Sequence, residues 1–287
     1  MNKIKSKKED GITRRWTAFV CGTTFSSLGD DVIRQTKNLI LDHIGNTLAG
    51  FCTEYGGLMV KLVESLGGKP ESTVFGTGKK TSCANAAFAN ARMSNALDND
   101  EILYNKCHVG PVPISSALAV GEKIKAGGKD VILATALGYD FGARFCMAAP
   151  AGLPKDPLKG EVGAVSGYGY NTIASAIPAG KLLGLDKEKM AYAIGAAAWY
   201  SPISLNWKWM NELPLRMMKY SDLGWIAQAG IIAVLLVQNG LTASSTILDD
   251  DFLRTALGNR EYHRKIMTED LGSKWHIMSS GIKLYPV

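Results

Sequence analysis

Apolar side chains recur at three- and four-residue spacing along most of this chain. From Asp30 to Ala49, Val32, Ile33, Thr36, Leu39, Ile40, Ile44 and Leu48 keep that period, which one buried helical face requires. Asp30 and Asp31 stand where carboxylates favour a helix start, and Gly50 where a helix can end. The pattern continues over Glu54 to Leu66, stopped by Gly67, Gly68 and Pro70. Helices are predicted next over Cys83 to Leu97, Pro113 to Ala126 and Lys129 to Ala148, the last two divided by Gly127 and Gly128. A loop rich in Pro, Gly and Lys follows from Pro150 to Gly163. Beyond it the pattern predicts helices over Asn171 to Leu183, Asp186 to Trp199 and Leu215 to Gln238, with Asp186 as an N-cap and Asn239-Gly240 as a stop. Only Thr73 to Phe75 reads as a short extended link. Hardly any segment alternates with period two for long enough to build a sheet, so the expected fold class is all-α, many helices packed together. Ala and Gly recur inside these helices and predict close helix crossings. No fixed-period repeat appears, which disfavours a solenoid.

Length and composition narrow this picture modestly. A chain of 287 residues makes one large domain or roughly two, and 46% hydrophobic with 20% charged residues suffices for a sizeable core. Six basic residues against two acids before residue 16 put +4 of the net charge of +6 into an N-terminal tail. The remainder is close to neutral, which argues against a nucleic-acid partner. Cys21, Cys52, Cys83, Cys107 and Cys146 are odd in number and widely spaced, with no zinc-like clustering, so a reducing cytoplasm is expected. No signal peptide is expected. The greasiest run, Ile226 to Val237, is too short to span a bilayer and predicts a buried helix, not a membrane anchor.

Chemistry concentrates in LDNDEILYNKCHVGP, Leu97 to Pro111, between two alanine-rich helical segments. Asp98, Asp100, Glu101 and His108 have no packing reason to gather there, and the stretch reads as the rim of a site. His108 alone among them has an ordinary pKa near neutrality. The acids can equally cap a helix end. Cys107 beside His108 suggests a nucleophile pair, but adjacent residues rarely present both groups to one substrate. His43 and His276 read as core or surface histidines. FGTGKKTS, Phe75 to Ser82, fails as a phosphate loop because Lys80 replaces the required Ser or Thr. GYGYNT, Gly167 to Thr172, lacks the third glycine of a dinucleotide fingerprint. Neither a cofactor nor a metal is expected.

Several local patterns fall in a familiar order: LDHIGNTLAG from Leu41, STVFGTGKKTSCANAAFANARMSNALDNDE from Ser72, and the turn His108-Val109-Gly110. SSALAVGEKIKAGGKDVILATALGYDFGAR from Ser115, AIPAGKLLGLDKEKMAYAIGAAA from Ala176 and KYSDLGWIAQAGIIAVLLVQNGLTA from Lys219 follow. Together they resemble the MmgE/PrpD family across essentially the whole chain after the tail. The resemblance implies a helical domain carrying the site and a smaller α+β lid, homodimers, and metal-independent chemistry on small di- or tricarboxylates. On that basis residues 1–15 form a basic tail, 16–274 the helical domain and 275–287 the beginning of a truncated lid.

Carried over residue by residue, the resemblance makes Asp98, His108 and Lys219 catalytic. Lys283, in GIKLYPV, matches a lysine at the lid entrance and binds substrate, together with Asp100 and with Tyr170 in place of a missing histidine. Tyr168 is a second candidate for that place. The chain departs from the family at Ile102, where a Thr is usual, between Gly163 and Tyr170, where no histidine occurs, and at Asp222 after the site lysine. It ends at Val287, just past the lysine motif, so most of the lid is expected from a truncated or split gene or from a second chain.

Known members include 2-methylcitrate dehydratases, cis-aconitate decarboxylases and an epimerase-like activity. The expectation from these residues is a hydro-lyase of the 2-methylcitrate dehydratase type. The alternatives are a cis-aconitate decarboxylase or epimerase-like member, or a helical subunit that is incomplete alone. Dehydration removes a weakly acidic C–H proton and protonates a departing hydroxide, which His108 and its neighbours can share. Lys219 and Lys283 would anchor carboxylates and stabilise enolate-like charge, and Asp98 would orient His108.

Overall fold

The computed structural model describes residues 11–103, 107–148, 171–202, 217, 222–249 and 263–285. Among these, helices dominate: α1 (Ile12–Gly22), α2 (Asp30–Phe51), α3 (Glu54–Leu66), α4 (Cys83–Ser94), α5 (Pro111–Ile124), α6 (Gly128–Ala148), α7 (Asn171–Leu182), α8 (Lys187–Trp199) and α9 (Leu223–Gln238). Four short strands also occur among the described residues, so the expected all-α class holds as a mostly helical fold. β1 (Ser72–Val74) pairs antiparallel with β2 (Lys79–Thr81), and β3 (Ile102–Leu103) with β4 (Ser280–Gly281). FGTGKKTS is the turn and second strand of the first hairpin, with Gly76 and Gly78 at positive φ. The second pair joins distant parts of the chain and therefore left no local alternation to read.

Most helix boundaries agree with the periodicity to within one or two residues. The largest difference is at α9, expected from Leu215 but beginning at Leu223, with Met217 and Asp222 outside any helix; α4 stops at Ser94 and not at Leu97. Asp98 adopts φ 55°, a left-handed conformation that Asp tolerates better than most residues. The chain reverses there, so that the acids that follow face back into the protein. α1 begins at Ile12, inside the stretch expected to be tail, because Thr13 and Trp16 dock into the fold. The Thr13 amide donates to Asp249 at 2.8 Å, and the Trp16 indole donates to the Met267 carbonyl at 2.7 Å.

The small residues set the architecture. α4, α5 and α9 pack mutually, α7 packs against α5 and α9, and α6, α8, α2 and α3 lie around them. Their facing surfaces are mostly Ala, Gly and Ser, which lets backbones approach closely. A Cβ at Gly50 would stand 2.0 Å from the Met93 carbonyl oxygen, where α2 crosses α4. One helix among the described residues, Gly128–Ala148, is long and apolar enough to cross a membrane, but 83% of its apolar window is buried inside the protein. It is a core helix that carries Asp140 and Arg144 in its interior.

α2 turns its face differently from the apolar stripe. It buries Val32, Thr36, Leu39, His43, Asn46, Thr47 and Gly50, and leaves Leu41 and Leu48 exposed. The first half of that face is core. The second half is polar, and it points at the cluster of acids after α4.

Candidate active site

Four of the six expected site residues come together: Asp98, Asp100, His108 and Lys283. Lys219 and Tyr170 lie outside the described residues, as does Tyr168. His108 is 3% exposed in the turn that leads into α5. Its Nδ1 lies 2.9 Å from Asp100 Oδ2 and its Nε2 lies 3.4 Å from Asp98 Oδ1. Lys283 closes the cluster from the far end of the chain, with Nζ 3.1 Å from Asp98 Oδ1 and donating to the Asp98 carbonyl oxygen at 3.0 Å. The orienting role expected of Asp98 thus falls by distance to Asp100. That carboxylate, expected to meet substrate, is buried, and the Asn95 amide donates to its other oxygen at 2.7 Å.

A second carboxylate fixes the turn itself. Glu101 accepts from the Gly110 backbone N–H, two residues after His108, and from the Tyr139 hydroxyl at 2.6 Å. The capping alternative therefore holds for Glu101, which occupies the start of α5, while Asp98 and Asp100 face the imidazole. Pro111 at the first helical position needs no N–H partner and adds to that start. Behind the cluster, His43 Nε2 and the Ser115 hydroxyl lie 3.1 Å apart, and the Asn46 amide donates to the Asn99 carbonyl at 3.4 Å.

Burial and neighbouring charge tune these groups. Burial alone would lower the His108 pKa, but its contact with Asp100 outweighs this and raises it above the ordinary imidazole value. Burial pushes Glu101 up to about 7, against the two hydrogen bonds that favour its ionised form. Asp42 is raised to about 6, first by burial and then by the charge of Asp100. His43 goes the other way, lowered to about 4 by burial, so it is neutral near pH 7.

The family model for the MmgE/PrpD N-terminal domain matches residues 14–264. The chain belongs to the MmgE/PrpD family. Among similar proteins, the cis-aconitate decarboxylase of Aspergillus terreus is 27% identical over 295 residues, covering 98% of this chain and 58% of that protein. The cis-aconitate decarboxylase of Homo sapiens is 27% identical over 245 residues, covering 83% of this chain and 48% of its own length. A cis-aconitate decarboxylase-like protein of Aspergillus oryzae is 22% identical over 302 residues, covering 99% and 60%. This chain therefore spans about half to three fifths of the length of these relatives.

In this MmgE/PrpD chain the cluster joins a proton-carrying imidazole, two carboxylates that hold it, and an ammonium group. Such a set can donate a proton and can attract a carboxylate once Lys283 is released to it. Asp98, Asp100 and His108 also bring donor atoms within 4.8 Å of one another, which a small cation can bridge. Lys283 brings its own positive charge to the same Asp98 carboxylate. Sequence reasoning missed Tyr139, Asn95 and Asn46. Tyr139 carried one usable signal, a hydroxyl beside Asp140 in an otherwise apolar helix.

Proposed function

We propose that this chain builds the proton-donating and carboxylate-binding part of a cis-aconitate decarboxylase-type carboxy-lyase site. One observation carries the reading: buried His108, its pKa raised, sits between two aspartates with Lys283 on one of them. The names of the relatives support this substrate over 2-methylcitrate. In the reaction, the carboxylate on the methylene carbon of cis-aconitate leaves as CO2. Its bonding pair becomes the new carbon–carbon double bond, and the old double bond takes one proton at its CH carbon, giving itaconate. His108 in its protonated form supplies that proton. Lys283, with Lys219 as the family resemblance suggests, holds carboxylates and steadies the charge that develops.

Dehydration asks for more. It needs a base as well as an acid, and the carboxylates around His108 are engaged: Asp98 with Lys283, Asp100 with Asn95 and His108, Glu101 with Gly110 and Tyr139. The decarboxylase reading needs only the proton on His108 and the release of Lys283 from Asp98 to substrate. The homodimer implied by the resemblance belongs to the same proposal.

Proton NMR of the protein incubated separately with cis-aconitate, citrate and 2-methylcitrate tests it. Itaconate signals from cis-aconitate alone are expected. Vinylic signals from a hydroxy acid would return the reading to a hydro-lyase, and unchanged spectra with folded protein would defeat both.

A further inference from the structure

The Lys283 ammonium reaches Asp98 across 185 positions of sequence, and the segment that leads to it buries Met267, Trp275 and Ile277 before the chain emerges. Ile282, Leu284 and Tyr285 are all exposed around it. Beside those apolar side chains, a buried ion pair inside α6 holds the segment's backbone. Asp140 and Arg144, at most 1% exposed, are joined at 2.7 Å. Arg144 spends its remaining N–H groups on backbone carbonyls: Ile266 at 2.9 Å, Lys274 at 2.8 Å, Asp270 at 3.4 Å, and Glu269. The other Asp140 oxygen accepts from the His276 N–H at 2.9 Å. One pair thus gathers the backbone from residue 266 to residue 276 into a single knot on α6. Positive φ at Asp270 and Gly272 lets the loop fold tightly enough to present those carbonyls inward.

From the knot the chain has only seven residues to reach Lys283. They run through the turn His276–Ser279 into β4, where Gly281 pairs with Ile102 and Ser280 with Leu103. β3 is continuous with the acids of the site. The Gln35 amide adds a contact from α2 to the Ser280 hydroxyl at 2.9 Å. The register of this ladder fixes where Lys283 falls, and the knot fixes where the ladder can form.

We propose that Asp140 and Arg144 are positioning residues for the site cation: they dock residues 266–276 on α6 and so set the Lys283 ammonium against Asp98. The consequence for carboxylate binding rests on the function proposed above. The docking itself does not, and it can be measured without substrate.

The test is the rate at which an amine-reactive acetylating reagent modifies Lys283 in the folded protein, read by peptide mass spectrometry against exposed Lys37. In the native chain the Lys283 side chain is 5% exposed and paired, so it reacts slowly. Arg144→Met should raise that rate by about tenfold or more, the result of shifting a local docking equilibrium by a decade. Ile231→Ala, in α9 and away from the knot, controls for general destabilisation and should leave the rate unchanged. If Arg144→Met does not fold, Asp140→Asn gives the same reading, since it keeps the shape and removes the charge. A folded variant in which Lys283 stays as protected as in the native chain overturns the proposal. With an active protein, Arg144→Met should also raise KM for the carboxylate substrate and lower kcat, because the displaced Lys283 both holds a carboxylate and steadies the charge that develops. Labelling that rises in a protein inactive on every polycarboxylate would uphold the docking and defeat only the proposed function.

Discussion

Two clusters of buried charge in this chain are built from similar parts and behave differently. At Asp140 and Arg144, the two groups are opposite in charge and saturated with backbone partners. At Asp98, Asp100 and His108, an imidazole that can change charge sits between two carboxylates, with a cation brought from far along the chain. The first arrangement can only hold. The second, in the function proposed above, holds in one protonation state and acts in the other. A buried charge is therefore not a site by being buried. It becomes one when its partners leave a proton free to move.

The sharpest way to break the comparison is to remove one member of the saturated pair. Asp140→Ala leaves Arg144 without its carboxylate in a dry interior and should cost about 3–5 kcal/mol. The urea midpoint should fall with little change in slope. A loss below about 1 kcal/mol would mean that the pair is not the clamp its hydrogen bonds suggest.

The same scale applied to the second cluster should read out in activity. His108→Gln is expected to lower kcat by about 10²–10⁴, the usual weight of a positioned proton donor. Its urea midpoint should move far less than that of Asp140→Ala. Activity retained within a few-fold would remove His108 from the chemistry.

An effect of pH sharpens the line between holding and acting, and it falls on Glu101. Its pKa is raised to about 7 in the folded chain, against about 4.3 when unfolded. The folded state therefore binds the proton more tightly, and stability from this group is complete below about pH 4 and lost as pH rises to about 7. Glu101→Gln cannot titrate. The stability of the native chain relative to this variant should fall between those pH values and stay flat on either side. A difference curve flat throughout would place Glu101 with the fixed charges.

The fold was largely legible because helices are local. Val32, Thr36 and Leu39 announce α2 through spacing alone, and Asp186 caps α8 through its side chain, which accepts from the Lys189 amide at 2.8 Å. What spacing could not settle was which face a helix turns inward. The apolar stripe of α2 included Leu48, yet the buried positions near it are His43, Asn46 and Thr47, because the neighbour there is a polar cluster. The end of α4 was missed for a related reason. Asn95 gives its amide to Asp100, five residues on, and the chain turns back at Asp98.

The site divides in the same way. Asp98, Asp100 and His108 lie within one short stretch, so the sequence by itself determined that an imidazole and carboxylates would meet. It also determined the helical class, through periodicities that depend only on neighbours a turn apart. Only the tertiary structure decided that Asp100 rather than Asp98 lies nearer the imidazole, that Glu101 takes the Gly110 amide and the Tyr139 hydroxyl, and that Arg144 gathers the segment leading to Lys283. Those outcomes depend on contacts that span from under ten to well over a hundred positions of sequence. Their partners are chosen by packing and burial, which no local spacing encodes.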